Sequence, residues 1–346
     1  MGMMSSFLRT SKYQEKANEK AFVIRNGKVL LEELIASSNG KYNPIRSFSP
    51  KELRTATNNY NHWNIITEGF EYKLYRGFLQ DRPISVMKYV KNGCFYEQKD
   101  WINNIVFASQ MSHKNVLKLI GCCLKAEIPV LVFESIEYKT LDHLLFGHSE
   151  FNFERLLLKH RLKIAMEIAN VIAYLHIGFS RPIAFRDLTS KHIVFCEEYV
   201  PKLYNFSLAA SIPEGETHVE DVVRGTCGFA APEYVSTGFF NEKCDVYSFG
   251  AVLFELLTGE ELFNVVRRPE MQYIYGGSMK KYIENNGFEG IVDPGIIGDE
   301  PLEQQQQLRA SLELALKCFS ELEEDRPVMI DIAKQLRLMY QSTLTS

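Results

Sequence analysis

The stretch PIAFRDLTSKHIVF, residues 182–195, and the LYNFS at 203–207 carry the side chains best suited to chemistry. Asp187, next to Arg186, is a carboxylate that could accept a proton. His192 has no second ligand at zinc-like spacing, so it reads as a structural side chain more readily than as a metal ligand. Asn205 is neutral, and a hard cation prefers charged oxygen. Upstream, Lys88 in the strand-like ISVMK supplies an ammonium, which is costly to bury without a counter-charge. Asp100, one helical turn before Asn104, is the expected partner for it.

These residues need a scaffold, and the composition supplies one. The 346 residues are 46% hydrophobic and 24% charged, which fits one two-lobed domain or two medium ones. A net charge of −4 gives no basic footprint for nucleic acid. Cys94, Cys122, Cys123, Cys196, Cys227, Cys244 and Cys318 form no C-x-x-C pair and read as reduced core thiols of a cytosolic protein. The longest apolar run, Phe249 to Leu257, is interrupted by Glu255 and too short to span a bilayer.

MGMMSS permits myristoylation of Gly2, although one acyl chain anchors only marginally. Residues 13–47 read as an extension in which Asn26-Gly27 marks a tight turn. A helix then opens with Ser49 as N-cap, Pro50 at its first position and Glu52 three residues after the cap, ending near Thr57. From Ile65 to Val90 short apolar pieces alternate with turn residues, as in an antiparallel sheet. Trp101, Ile102, Ile105 and Val106 follow helical steps, and Val116–Leu119 and Val130–Phe133 read as strands. Beyond residue 140 the pattern is helical, notably 156–176 and 245–258. A strand-rich first third before a helix-rich remainder is α+β with two lobes.

Four segments carry a resemblance: FSPKELRTATNNYN from Phe48, HKNVLKLIGCC from His113, GTCGFAAPEYVSTGFFNEKCDVYSFGAVLFELLTGE from Gly225, and Asp325-Arg326-Pro327. In order and spacing the chain resembles the plant receptor-like cytoplasmic kinases over residues 48–341, preceded by an extension at 1–47. The resemblance implies a bilobal protein-kinase fold with a small antiparallel-sheet N-lobe and a larger helical C-lobe.

It also assigns each motif a job. The glycine loop falls on Thr67, Gly69 and Tyr72; only Gly69 is kept, and Tyr72 puts a ring where backbone should approach phosphate, so an ordinary hairpin is an equal reading. Lys88 stands at the phosphate lysine and Val86 where alanine usually faces adenine. Asn104 replaces the helix glutamate that should pair with the lysine. In the catalytic loop Phe185 precedes Arg186, Asp187 remains as the base, and Thr189 and His192 replace the phosphate lysine and a metal-holding asparagine. Asn205-Phe206-Ser207 replaces the metal-binding D-F-G, and Tyr204 with Tyr72 and Val86 suggests a crowded pocket. No metal and no required cofactor are expected; ATP held weakly without metal through Gly69 and Lys88 stays open.

Phosphoryl transfer depends on positioning and electrostatics, and here several parts are altered together. The scaffold residues are kept: Glu233 with Arg326 as an ion pair, and Asp245 for the catalytic-loop backbone. Glu220 or Asp221 could supply Arg186 with the charge a phosphate gives elsewhere, or the segment 208–226 could be a solvated loop. The resemblance narrows to the pseudokinase branch serving as adaptor for a nucleotide-binding leucine-rich-repeat immune receptor. It implies a cytoplasmic or plasma-membrane-peripheral partner of that receptor and of a pathogen-modified receptor-like cytoplasmic kinase. The rivals are a weak Ser/Thr kinase using Lys88 and Asp187, and a nucleotide sensor.

Overall fold

The computed structural model describes residues 2–38, 45–69, 71–90, 98–147, 156–197, 199–267, 282, 290–297 and 302–345. Cys94 lies outside them. The chain forms two compact units, 1–112 with 117–137, and 113–116 with 138–346. Both strands and helices are present, a sheet-rich unit and a helical one, as expected for the α+β kinase fold.

The first unit opens with one continuous helix, α1 (Gly2–Ser38). The expected turn at Asn26-Gly27 is not there. Asn26 is buried instead, and its Nδ2 donates to the carbonyls of Leu124 and Ala126 at 3.1 and 3.0 Å. A side-chain amide that caps a neighbouring loop is worth more than the local turn preference of Asn-Gly. After β1 (Arg46–Ser47), the capping box forms as read: Ser49 Oγ accepts from the Glu52 amide, and Glu52 accepts from the Ser49 amide at 2.8 Å, opening α2 (Pro50–Ala56).

Strands β2 (Ile65–Glu68), β3 (Tyr72–Leu79), β4 (Arg82–Tyr89), β5 (Leu119–Cys123) and β6 (Val130–Phe133) form, with β1, a sheet in the order β1-β5-β6-β4-β3-β2. The strand placed at 116–119 by pattern starts at Leu119 instead. At Gly121 a Cβ would lie 2.0 Å from the Arg46 carbonyl, so only glycine lets β1 pair alongside β5. One face of the sheet packs Tyr75, Ile84, Val86, Val130 and Val132 against Leu53 and Ala56 of α2. The other face meets α3 (Gln98–Gln110), through Met87 and Tyr89. Helix α1 packs against α3.

In the second unit, α4 (Leu141–Phe146) and α5 (Leu158–Ile177) precede the short strand β7 (Ile183–Ala184) and the hairpin β8 (Ile193–Glu197) with β9 (Val200–Leu203). Then come β10 (Ala210–Ser211), β11 (Val219–Glu220), α6 (Pro232–Thr237), β12 (Phe239–Phe240) and α7 (Glu242–Thr258). Helix α7 is buried along nearly its whole length, which accounts for its unbroken apolar run. It ends at Gly259, whose φ of +65° is the left-handed cap glycine takes without strain. Helices α8 (Leu262–Val266), α9 (Pro294–Ile297), α10 (Leu302–Cys318) and α11 (Met329–Thr345) complete the unit. Among the described residues no helix is long and apolar enough to cross a membrane.

Candidate functional site

The motif residues fall in both units, and each unit is described by itself. In the first, the tight turn Gln80-Asp81 (φ +48° and +64°) sets the register of β3 against β4, pairing Leu74 with Met87 and Tyr75 with Val86. Side chains alternate across a strand, so register decides which residue faces which helix. Val86 faces α2, and so does Lys88 two residues on. Lys88 is exposed, its ammonium 4.2 Å over the Tyr60 ring, which meets Tyr75 edge-on. The expected Lys88–Asp100 pair is therefore not formed; Asp100 is buried on α3 and Lys88 finds a cation–π partner on the opposite face.

Met87 and Tyr89 take the α3-facing positions of the strand, where the motif had placed Lys88, and Val86, expected against adenine, packs in the core beside Leu53 and Ala56 instead. Asn104 Nδ2 donates to Tyr89 Oη at 3.0 Å and approaches Met87 Sδ at 3.4 Å. A neutral phenol–amide bond stands where an active kinase needs a lysine–glutamate ion pair. Gly69 and Tyr72 close a hairpin, the Gly69 amide donating to the Tyr72 carbonyl at 2.9 Å. The Tyr72 ring lies against Gly69, where a Cβ would be 3.0 Å from it. Thr67 is buried in β2.

In the second unit, Asp245 at the start of α7 holds the catalytic-loop backbone. Its carboxylate accepts from the Phe185 and Arg186 amides at 2.8 and 2.7 Å, and His176 Nε2 lies 2.9 Å away. Phe185 is fully buried edge-on to Phe206 at 5.2 Å. Arg186 adopts φ +69°, a strained value for a non-glycine residue, fixed by this bonding.

The positions that the kinase resemblance assigns to metal are joined to each other. Ser207 Oγ donates to Asn205 Oδ1 at 2.6 Å, Asn205 Nδ2 to His192 Nε2 at 3.1 Å, and His192 Nδ1 to the Asp187 carbonyl at 2.7 Å. With Nδ1 donating to that carbonyl, Nε2 is the ring nitrogen that faces the Asn205 amide. Asn205 presents a donor, not an oxygen, to this contact, so the donor set does not fit a hard divalent cation. Asp187 Oδ1 accepts from Thr226 Oγ1 at 2.9 Å, and its Oδ2 is 3.4 Å from His192 Nδ1. Thr189, at the phosphate-lysine position, is buried with its Oγ1 unpartnered. Tyr204 is buried and donates to the Lys191 carbonyl at 3.1 Å.

The segment 208–226 is held, not loose. Arg186 bonds Asp221 at 2.9 Å, the Leu208 carbonyl at 3.2 Å and Tyr234 Oη at 2.5 Å, with its guanidinium 4.0 Å over the Phe240 ring. Tyr234 Oη in turn donates to the Val222 carbonyl and accepts from the Arg224 amide. Asp221 is thus the built-in charge; Glu220 lies in β11, paired with Phe239 and exposed. Val222, Val223, Val235 and Phe239 are left exposed on this face. Below it, Arg326 and Glu233 form a two-pronged pair, both contacts 2.7 Å, with Arg326 buried and Glu233 held below the usual carboxylate range by Arg326 despite its desolvation.

Sequence reasoning missed Tyr89, His176 and Tyr234. The first was hidden by a motif match one residue away. The strand alternation Leu74/Met87 could have exposed it.

A family model for protein tyrosine and serine/threonine kinases matches residues 64–336. Among curated proteins of Arabidopsis thaliana, the serine/threonine-protein kinase ZRK1 is 37% identical over 340 residues, 96% of this chain and 96% of its own length. The non-functional pseudokinase ZRK2 is 37% identical over 343 residues, covering 97% of this chain and 94% of that one. The non-functional pseudokinase ZED1 is 38% identical over 325 residues, covering 91% and 95%.

Proposed function

The chain belongs to the protein tyrosine and serine/threonine kinase family, and from that premise we propose that it is a pseudokinase working by protein binding. The observation that carries this reading is the Asn205–His192 hydrogen bond, which turns the two metal-ligand positions toward each other. Removing one preorganised electrostatic group from a catalytic site commonly costs about 2.7–4 kcal/mol in barrier height. Here the ion pair, the phosphate lysine and both metal positions differ at once. Two relatives named non-functional pseudokinases, similar over nearly their whole length, support the reading.

In this reading the protein is an adaptor in plant immunity, linking a nucleotide-binding leucine-rich-repeat receptor to a pathogen-modified receptor-like cytoplasmic kinase in the cytoplasm or at the plasma membrane. The support is the apolar face of Val222, Val223, Val235 and Phe239, fixed in place by Arg186 and Asp221. Fixed, exposed apolar side chains beside charged ones have the makings of a protein-binding surface. Co-purification from plant tissue tests it: such a receptor or kinase should be retained by the native chain and lost with Val222→Glu/Val223→Glu. Retention of neither would contradict the adaptor role.

The second reading, weak kinase activity, is favoured by Asp187 keeping its Thr226 contact and by the relative named a serine/threonine-protein kinase. Lys88 contributes nothing to it from the α2 face. Phosphate incorporation abolished by Asp187→Ala would establish it.

A further inference from the structure

Helix α1 carries two apolar stripes, and the first unit uses one. Asn26, Leu30 and Leu34 are buried. On the outward side run Ala17, Ala21, Ile24, Lys28, Leu31 and Ile35, all exposed, at alternating steps of four and three. Ile24, Leu31 and Ile35 keep 64%, 54% and 62% of their surface in solvent. One exposed aliphatic side chain is ordinary, but a row at the 3.5-residue repeat has the period of the seam between two paired helices. The occupant such a seam fits is a helix.

The charges beside the seam identify which helix. Arg25 and Glu32 flank it on one side, Lys20 on the other, and Lys28 sits within it. A parallel pairing with the same helix would set Lys28 against its own copy and Lys20 near Arg25, both repulsive. In an antiparallel pairing with Ile24 opposite Ile35 and Lys28 opposite Leu31, Arg25 and Lys28 of each copy meet Glu32 of the other. The twofold axis makes this happen twice. A single lysine within a seam selects one register at some cost in stability. Arg25 retains donors for this contact, since only its Nη2 is used on the Glu127 carbonyl and its Nε on Asn26.

We propose that α1 pairs with α1 of a second copy of this chain as a short antiparallel coiled coil spanning Ala21 to Ser38. This is independent of the adaptor reading. The overlap of these residues is about 27 Å long at 1.5 Å per residue. With four complete layers the dimer is weak, forming and separating with concentration.

Sedimentation equilibrium of the full chain from about 1 to 200 μM, in about 0.05 M and 0.5 M salt, tests this. The average mass should climb toward twice the monomer value, less steeply at high salt. Arg25→Glu and Glu32→Arg should each weaken association about tenfold or more, the loss expected when attractive contacts become like-charge ones. Mixing the two variants should restore it, because each then supplies the charge the other lacks. Arg25→Glu also gives up the bonds to the Glu127 carbonyl and Asn26, so thermal melts check the fold of each variant, and Glu32→Arg, exposed and outside those bonds, carries the test by itself if the first does not fold. A chain monomeric throughout, or a dimer indifferent to both reversals and their mixture, would overturn the proposal.

Discussion

Tyr89 and Lys88 are neighbours, yet the strand turns them to opposite faces, and only Tyr89 reaches Asn104. Loss of one intramolecular hydrogen bond costs about 1 kcal/mol, so Tyr89→Phe should lower the unfolding free energy read from denaturant titration by about that amount. Lys88→Met, the substitution that silences an ordinary kinase, should cost no more than an exposed cation–π contact, about 0.5–1 kcal/mol, and leave the response to nucleotide unchanged. Equal loss of that response from both would show that the two residues share a site. Glu255 offers a second residue-level test. It is buried in α7, Oε1 accepting from the Leu262 amide, and burial raises its pKa from 4.5 to about 7 against the opposing pull of the Ser190 hydroxyl and that amide. Between those values the folded chain keeps a proton the unfolded chain has released, so Glu255 costs stability as pH rises, levelling off above 7. Relative to the native chain, Glu255→Gln should gain about 2 kcal/mol between pH 5 and 7 in denaturant titrations. A pH-independent difference would mean the carboxyl is ionised throughout.

Among the elements, the segment 208–226 behaves as a fixed surface because Asp221 supplies the charge for Arg186. Asp221→Ala should speed amide exchange at 219–224 while leaving α7 protected; unchanged exchange would mean Tyr234 and Phe240 suffice. The capping box at Ser49-Glu52 and the Glu233–Arg326 pair were legible because each depends on local spacing or on a motif with one structural job. The continuous α1 was not, since Asn26 gains its bonds from Leu124 and Ala126, about a hundred residues away. Nor was the facing of Lys88, which depends on a two-residue turn at Gln80-Asp81 that no motif encodes. Local spacing and bonds tied to a motif, even the distant Glu233–Arg326 pair, could be read from sequence; strand register and long-range bonds outside any motif could not.

At the scale of the molecule, the retained groups hold shape, and on the proposed reading the altered ones stand where a kinase handles phosphate and metal. Asp245, Arg186, Phe185 and Arg326 keep their structural bonds, whereas Asn205, His192 and Ser207 are closed into a chain of hydrogen bonds. The most direct test is the thermal midpoint of the full chain with ATP, once with excess Mg²⁺ and once with chelator. The account predicts the same midpoint in both, because Asn205 is neutral, with its Oδ1 accepting from Ser207 and its Nδ2 turned to His192, so neither position offers a cation a free charged oxygen. A saturable rise that requires Mg²⁺ would contradict it, since a ligand bound only by the folded state must stabilise it.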